Sequence, residues 1–229
     1  MKFKQPRRLV ASFFLIYISF ALITIAQHTP DSNLEKVTGL SSTGTVSINL
    51  MPRCNIPLRD GYNLISLCAN VTNSSILKVL ESVAGKYDFV LRLNTSSQIF
   101  DVFSPSASTN SFVDFKENES YFIFMNQNAT LGIVGTEFGD MNISLSQEFN
   151  APSYPYQFST NISNYLLPIS ENAPFALFWN ETTQTFKIFS PESASQEIEV
   201  VGRGNGQFIY LISTSETLRY NRSALNSSG

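Results

Sequence analysis

The amino-acid sequence predicts a mainly β protein of β-sandwich type: two duplicated β-rich modules behind an N-terminal membrane helix. The first module contains one short helix and is α+β; the second is all β. Three observations carry this expectation. An uncharged run of membrane length opens the chain, a stretch of the remainder repeats itself at a fixed offset, and short aromatic and β-branched runs alternate with turn-forming residues. The 229 residues are 43% hydrophobic and 13% aromatic, too apolar for a disordered chain. Only 14% are charged, against roughly 25% in typical soluble domains. A net charge of −3 excludes a strongly basic nucleic-acid binder. One His, two Cys and one Trp leave little material for a metal centre or a His-dependent nucleophile.

The first 26 residues read as a signal-anchor or a signal peptide. Lys2, Lys4, Arg7 and Arg8 precede the uncharged run 9–26 and hold the N-terminus inside, so that the chain beyond Ala26 is delivered outside. At 1.5 Å per residue the run spans about 27 Å, enough for a thin bilayer, and it exceeds the roughly 7 to 15 apolar residues of removable signal peptides. Thr24 and Ala26 are nevertheless small enough for cleavage after Ala26. The expected location is therefore the cell membrane with the C-terminal part extracellular, or secretion if the segment is cleaved. Residues 27–44 form a polar spacer that holds His28, read as a solvated bystander. Removing the cytoplasmic tip takes four of the fifteen basic residues and none of the eighteen acidic ones, so the exported part carries −7.

Residues 45–140 and 141–229 form the two modules. Sliding the chain by 86 residues aligns 89–105 with 175–191 without a gap, and 8 of 17 positions are identical, among them Asn94/Asn180, Gln98/Gln184, Phe103/Phe189 and Pro105/Pro191. Each stretch reads as strand, polar turn, strand, stopped by Ser-Pro because proline brings no donor to a ladder. Further strands are expected over 46–50, 62–68, 111–115, 121–125 and 129–134, with second-copy equivalents over 197–201, 208–212 and 217–220. Ile76, Leu77, Val79, Leu80 and Val83 share one face of a helix expected over 74–85, started by Asn73 or Ser74 and ended by Gly85. The corresponding stretch of the second copy contains Pro168 and is too short for an equivalent helix.

Asn-X-Ser/Thr sequons stand at Asn70, Asn73, Asn94, Asn118, Asn128, Asn142, Asn161, Asn180, Asn221 and Asn226, more than twice what a random order of the same residues would give. All lie beyond the membrane segment, and Asn94 and Asn180 occupy equivalent hairpin tips. Sugars there would make up for the missing surface charge. Cys54 and Cys68 are expected to form a disulfide, as an exported pair does in an oxidising compartment. Asp114, Glu117 and Glu119 cluster before Tyr121, but their second-copy counterparts Val200, Arg203 and Asn205 are not acidic, so a solvated turn is the preferred reading. Gly202, Gly204 and Gly206 precede a strand, whereas a phosphate loop follows one; a hairpin turn is expected. Trp179 is the candidate binding aromatic, with core or domain-interface packing the preferred reading. No catalytic residue, metal ligand or cofactor is assigned.

The stretch from Gly61-Tyr62-Asn63-Leu64-Ile65-Ser66-Leu67 to about Val134 resembles a repeated extracellular module of exported archaeal and bacterial proteins that begins Gly-Trp-Asn-Leu-Ile-Ser-Leu-Pro. Residues 37–50 are similar to the segment after the signal in many archaeal surface proteins. Tyr62 stands for the module's Trp and Cys68 for its Pro, and the second copy resembles it only from Phe175 onward. The resemblance implies a secreted or surface-attached scaffold and supplies no catalytic residues. The function these readings imply is a non-enzymatic cell-surface glycoprotein acting in adhesion, envelope structure or partner binding. The alternatives are a carbohydrate- or peptide-binding accessory module and, more remotely, a degenerate envelope-polymer hydrolase. The partners implied are the membrane, through the N-terminal helix, and a surface protein or glycan, with no nucleic acid.

Overall fold

The computed structural model describes residues 53–227, which belong to one compact unit. The membrane-length run, the spacer with His28 and the strand expected over 46–50 lie outside the described residues. Strands dominate the fold. In chain order they are β1 (Arg53–Leu58), β2 (Gly61–Ser66), β3 (Tyr87–Asn94), β4 (Ile99–Phe103), β5 (Ser120–Met125), β6 (Ala129–Val134), β7 (Met141–Asn150), β8 (Thr160–Asn161), β9 (Phe175–Asn180), β10 (Thr185–Phe189), β11 (Val200–Val201) and β12 (Gln207–Tyr220). The described residues also form three short α-helices: α1 (Ile76–Val79), α2 (Ser163–Leu166) and, after the last strand, α3 (Arg222–Asn226).

Two four-stranded antiparallel sheets have the same internal order, β4-β3-β5-β2 in the first half and β10-β9-β12-β7 in the second. Strands β1 and β6, and β8 and β11, form separate two-stranded ladders. Both outer hairpins are built alike. Asn94 Oδ1 accepts from the N–H groups of Ser96 (3.1 Å) and Ser97 (3.3 Å), and Asn180 Oδ1 accepts from Thr182 (3.0 Å) and Thr183 (3.3 Å). An Asn side chain that mimics a backbone turn in this way is a strong hairpin former. Gln98 and Gln184 close the two turns at φ 56° and 53°. Beyond the second strand, Ser104 Oγ donates to the Asp88 carbonyl and Ser190 Oγ to that of Pro174, at 3.0 and 3.1 Å. The identical Asn, Gln and Ser residues of the aligned stretches thus have identical local tasks.

The two halves close each other's sheet edges. An edge strand carries unpaired N–H and C=O groups that must find partners when covered. On β2, the Tyr62 N–H donates to Gln184 Oε1 (2.8 Å), and the Tyr62 carbonyl accepts from Gln184 Nε2 (3.1 Å) and Trp179 Nε1 (2.7 Å). The Gly206 N–H donates to the Leu64 carbonyl and the Ser66 N–H to that of Gly204, both at 3.0 Å. On β7 and the residues after it the same bonds recur, with the partners now supplied by the first half. Gln98 Oε1 accepts from the Phe149 N–H (3.1 Å) and its Nε2 donates to the Phe149 carbonyl (3.0 Å). The Ser120 N–H meets the Ala151 carbonyl (2.7 Å) and the Ser153 N–H that of Asn118 (3.1 Å). Between the sheets, Leu64, Leu93 and Phe122 pack against Ala151, Leu177 and Phe208. Ring contacts there are reciprocal too: Phe100–Phe208 at 6.2 Å, Phe122–Phe186 at 6.1 Å and Phe122–Phe208 at 5.8 Å.

Several elements differ from expectation. The helix expected over 74–85 is a single α-turn, α1, followed by a 3-10 turn over Glu81–Val83, with Leu77 60% exposed; β-branched Val79 and Val83 and the polar Ser82 are poor at propagating a helix. The second half is not all β: α2 runs into a 3-10 turn over Leu167–Ile169, where Pro168 sits near the start and its missing N–H is not needed. Residues 111–115 make only an isolated bridge, Ser75 with Asp114. The strands expected over 208–212 and 217–220 are one continuous β12, and its partner β7 is an additional strand, marked in the sequence by Met141, Ile143 and Leu145 alternating with Asn142, Ser144 and Ser146. Glu148-Phe149-Asn150 takes the place of the opening Gly61-Tyr62-Asn63: Asn63 Nδ2 donates to the carbonyls of Arg59 and Gly61, and Asn150 Nδ2 to those of Ser146 and Glu148. Gly61 and Glu148 share a positive φ, 90° and 74°.

Gln184→Ala and Gln98→Ala are each expected to lower the unfolding free energy by about 1–3 kcal/mol in chemical denaturation, because each removes the partners of covered edge groups. Unchanged midpoints in both variants would exclude these bonds from a stabilising role.

Candidate functional site

None of the ten sequon asparagines is buried: Asn73, Asn118, Asn128, Asn142, Asn161, Asn221 and Asn226 are exposed, and Asn70, Asn94 and Asn180 are half-buried. In several of them Oδ1 holds the backbone. Asn73 accepts from the Ser75 N–H (3.0 Å), Asn161 from Ser163 (3.1 Å), Asn128 from Asp60 (2.9 Å), and Asn221 caps α3 from Ala224 (3.1 Å). The carboxamide nitrogen of the same side chain is the atom that N-glycosylation would modify. Asn94 and Asn180 stand at the two hairpin tips.

Cys54, on β1, and Cys68, just after β2, are joined by a disulfide, both fully buried and with Cα atoms 6.1 Å apart. The bond ties the β1–β6 ladder to the end of the first sheet's edge strand. Reduction, or the double substitution Cys54→Ala with Cys68→Ala, is expected to cost about 3 kcal/mol in the chain-entropy picture of a loop this long. A thermal melt unchanged by reductant, with both thiols shown to be free, would contradict that role.

Trp179 lies at the junction of the halves. Its indole N–H is used by the Tyr62 carbonyl, and its ring stands edge-on to those of Phe122 (5.3 Å), Phe186 (4.9 Å) and Tyr62 (6.4 Å). Six other aromatics escaped the sequence reading. Tyr62, Phe124 and Phe89 are cross-strand neighbours on β2, β5 and β3, and Phe149, Tyr210 and Phe175 are the same on β7, β12 and β9. All six are half-buried. Phe89 and Phe124 stack at 5.0 Å and 8°, Phe175 and Tyr210 at 5.3 Å and 1°. Rings that spend their faces on each other present edges outward, so these rows are unlike the flat platform on which a sugar stacks. The signal was available in the 86-residue offset, which pairs Phe89 with Phe175 and Phe124 with Tyr210.

The acidic cluster is taken up locally. Glu119 accepts from the Tyr121 hydroxyl (3.0 Å) and pairs with Lys116 (2.8 Å), and Asp114 and Glu117 are exposed. Among the described residues no group of three His, Cys, Asp or Glu is placed to hold a metal ion. The stretch 202–206 is not a hairpin between paired strands, since β11 pairs with β8. It is a wedge against the first half, with Gly204 at φ 76°, where a Cβ would come 2.6 Å from Ile56.

Beneath the second sheet lies a satisfied polar network. The Tyr165 hydroxyl donates to Gln207 Oε1 (2.9 Å), Gln207 Nε2 donates to the Tyr220 hydroxyl (2.7 Å), and the Tyr156 hydroxyl donates to the Tyr220 carbonyl (3.1 Å). Burial raises the phenol pKa values: that of Tyr156 is pushed up to about 12, with Asp140 adding to the effect and Arg222 opposing it. Tyr154, Tyr165 and Tyr220 are raised further, again chiefly by burial. A phenol held neutral in the folded state favours folding fully below its ordinary pKa near 10, and that contribution is lost as pH rises through the folded value. Tyrosinate absorbance in an alkaline titration is therefore expected to lag for these residues and then to rise together with unfolding above pH 10. Normal ionisation of all nine tyrosines in the folded state would contradict this.

Cavities on the described surface include one of about 520 Å³, between β7, β12 and the α2 turn, and one of about 270 Å³, beside α3. No described helix is long and apolar enough to cross a membrane. In comparisons with known proteins the chain matches no family model, no curated protein and no solved structure.

Proposed function

We propose that this protein is a non-enzymatic cell-surface glycoprotein, anchored by its N-terminal segment or released by its cleavage, that displays two duplicated β modules in adhesion, envelope structure or partner binding. The observation that carries the reading is the placement of the sequons. Ten of ten avoid the core, and two of them cap equivalent hairpins. A buried disulfide agrees with an exported, oxidising environment. The duplication draws support from the shared strand order and from the reciprocal bonds of Gln98 and Gln184. Local pairing of Glu119 with Lys116 and Tyr121 speaks against a hydrolytic carboxylate there.

The resemblance to surface modules of archaeal and bacterial proteins belongs to the same proposal, and an accessory carbohydrate- or peptide-binding role is its alternative. The face-to-face stacking of rings within the aromatic rows favours display over glycan stacking. Fractionation of native cells and intact mass of the purified protein test the proposal together. The expected result is a membrane-associated chain heavier than its polypeptide by several glycans. A mature chain that begins after Ala26 and is recovered free of membrane overturns the anchor, and a mass equal to the bare polypeptide overturns the glycoprotein.

A further inference from the structure

We propose that the cavity beside α3 seats the first, neutral sugar of a glycan carried on Asn226; this rests on the glycoprotein reading above. The cavity is lined by Phe138, Tyr156, Gln157, Phe158, Arg222 and Asn226 and encloses about 270 Å³. That is below the roughly 300–1,000 Å³ of pockets for drug-sized ligands, so it holds one ring and not an oligosaccharide. Asn226 is at once a wall of the cavity, exposed, and the first residue of the sequon Asn226-Ser227-Ser228.

Two donors at this site have no acceptor among the described residues: the buried atoms Gln157 Nε2 and Arg222 Nε. Native interiors rarely leave such groups unpaired. A sugar's hydroxyl and carbonyl oxygens are acceptors of the required kind, and its hydroxyls can donate in return to Glu137, which pairs with the Arg222 guanidinium. Asp140 Oδ1 accepts from the Arg222 backbone N–H (2.9 Å). One cation against two carboxylates leaves the site slightly negative, which disfavours an acidic sugar and suits a neutral one. The half-buried Phe158 stacks one face on Tyr156, with centroids 5.0 Å apart and planes at 9°. Half-buried and lining the cavity, it supplies apolar surface against which the C–H groups of a pyranose pack. Attachment to Asn226 makes the contact intramolecular, so a weak seat is filled at high effective concentration.

The test uses the full chain produced in cells with an intact N-glycosylation pathway and, in parallel, in cells without one. Glycopeptide mass spectrometry reads occupancy, and thermal melting compares wild type with Asn226→Gln, Gln157→Leu and Asn142→Gln, the last at an exposed sequon on β7. Asn226 is expected to be occupied. Asn226→Gln is expected to lower the melting temperature of the glycosylated protein by about 2–4 °C, to leave the unglycosylated protein unchanged, and to exceed the effect of Asn142→Gln. Gln157→Leu should lower the glycosylated wild type but not Asn226→Gln. A bare Asn226 beside other occupied sequons overturns the seat alone, as do equal melts for Asn226→Gln and Asn142→Gln with Asn226 modified. Sugar at no sequon overturns the glycoprotein reading and the seat with it.

Discussion

The fold depends on one constraint: each four-stranded sheet has an edge strand, β2 or β7, that neither half can satisfy from its own residues. The missing partners come across the junction. Gln184 and Trp179 reach the Tyr62 backbone, Gln98 reaches Phe149, and the backbones near Gly204–Gly206 and Asn118–Ser120 meet the residues beyond. A covered and unpaired edge would cost more than a typical hydrogen bond returns, so the apolar layer between the sheets forms only in the register that also closes both edges. Packing and edge closure therefore select the same arrangement. Consistency between the two levels is what gives a chain one native state.

This constraint also explains which parts of the architecture were legible in the sequence. Hairpins were, because Asn94 and Asn180 act within four residues of themselves and alternating apolar positions mark their strands. The Cys54–Cys68 pair was, because only two cysteines exist. Edge closure was not: Gln98 and Gln184 were visible as identities, but their partners lie 51 and 122 residues away, and no local pattern states such a distance. The opening motif of the second half escaped for another reason. Glu148-Phe149-Asn150 stands 87 residues after Gly61-Tyr62-Asn63, one more than the offset of the hairpins, so an ungapped alignment passes over it. The backbone conformation matches where the residue does not, since Glu148 has the positive φ that glycine adopts without strain.

The candidate sites divide in the same way. Sequons are local by definition and were read directly, whereas the aromatic rows exist only once β2, β5 and β3, or β7, β12 and β9, are side by side. Trp179 ends a strand beside a sequon, a place where a ring free to bind a ligand could stand. Its indole nitrogen is instead committed to the edge of the other half. The chain's single tryptophan is here absorbed by the junction.

The two halves share a plan and differ in what they bury. The first is tied by a disulfide. The second, without a cysteine, has Tyr154, Tyr156, Tyr165 and Tyr220 around Gln207, nearly all of their polar ends paired inside. Both devices stiffen a small β unit whose core alone is modest, one by restricting the unfolded chain and the other by a network that tolerates no partial satisfaction. Neither adds surface charge. A chain whose polar capacity is turned inward in this way, and whose residues beyond Arg8 carry only −7, leaves solvation of its surface to neutral groups. Asn, Ser and Thr supply these groups directly, and the exposed sequons give the same surface a route to far larger ones.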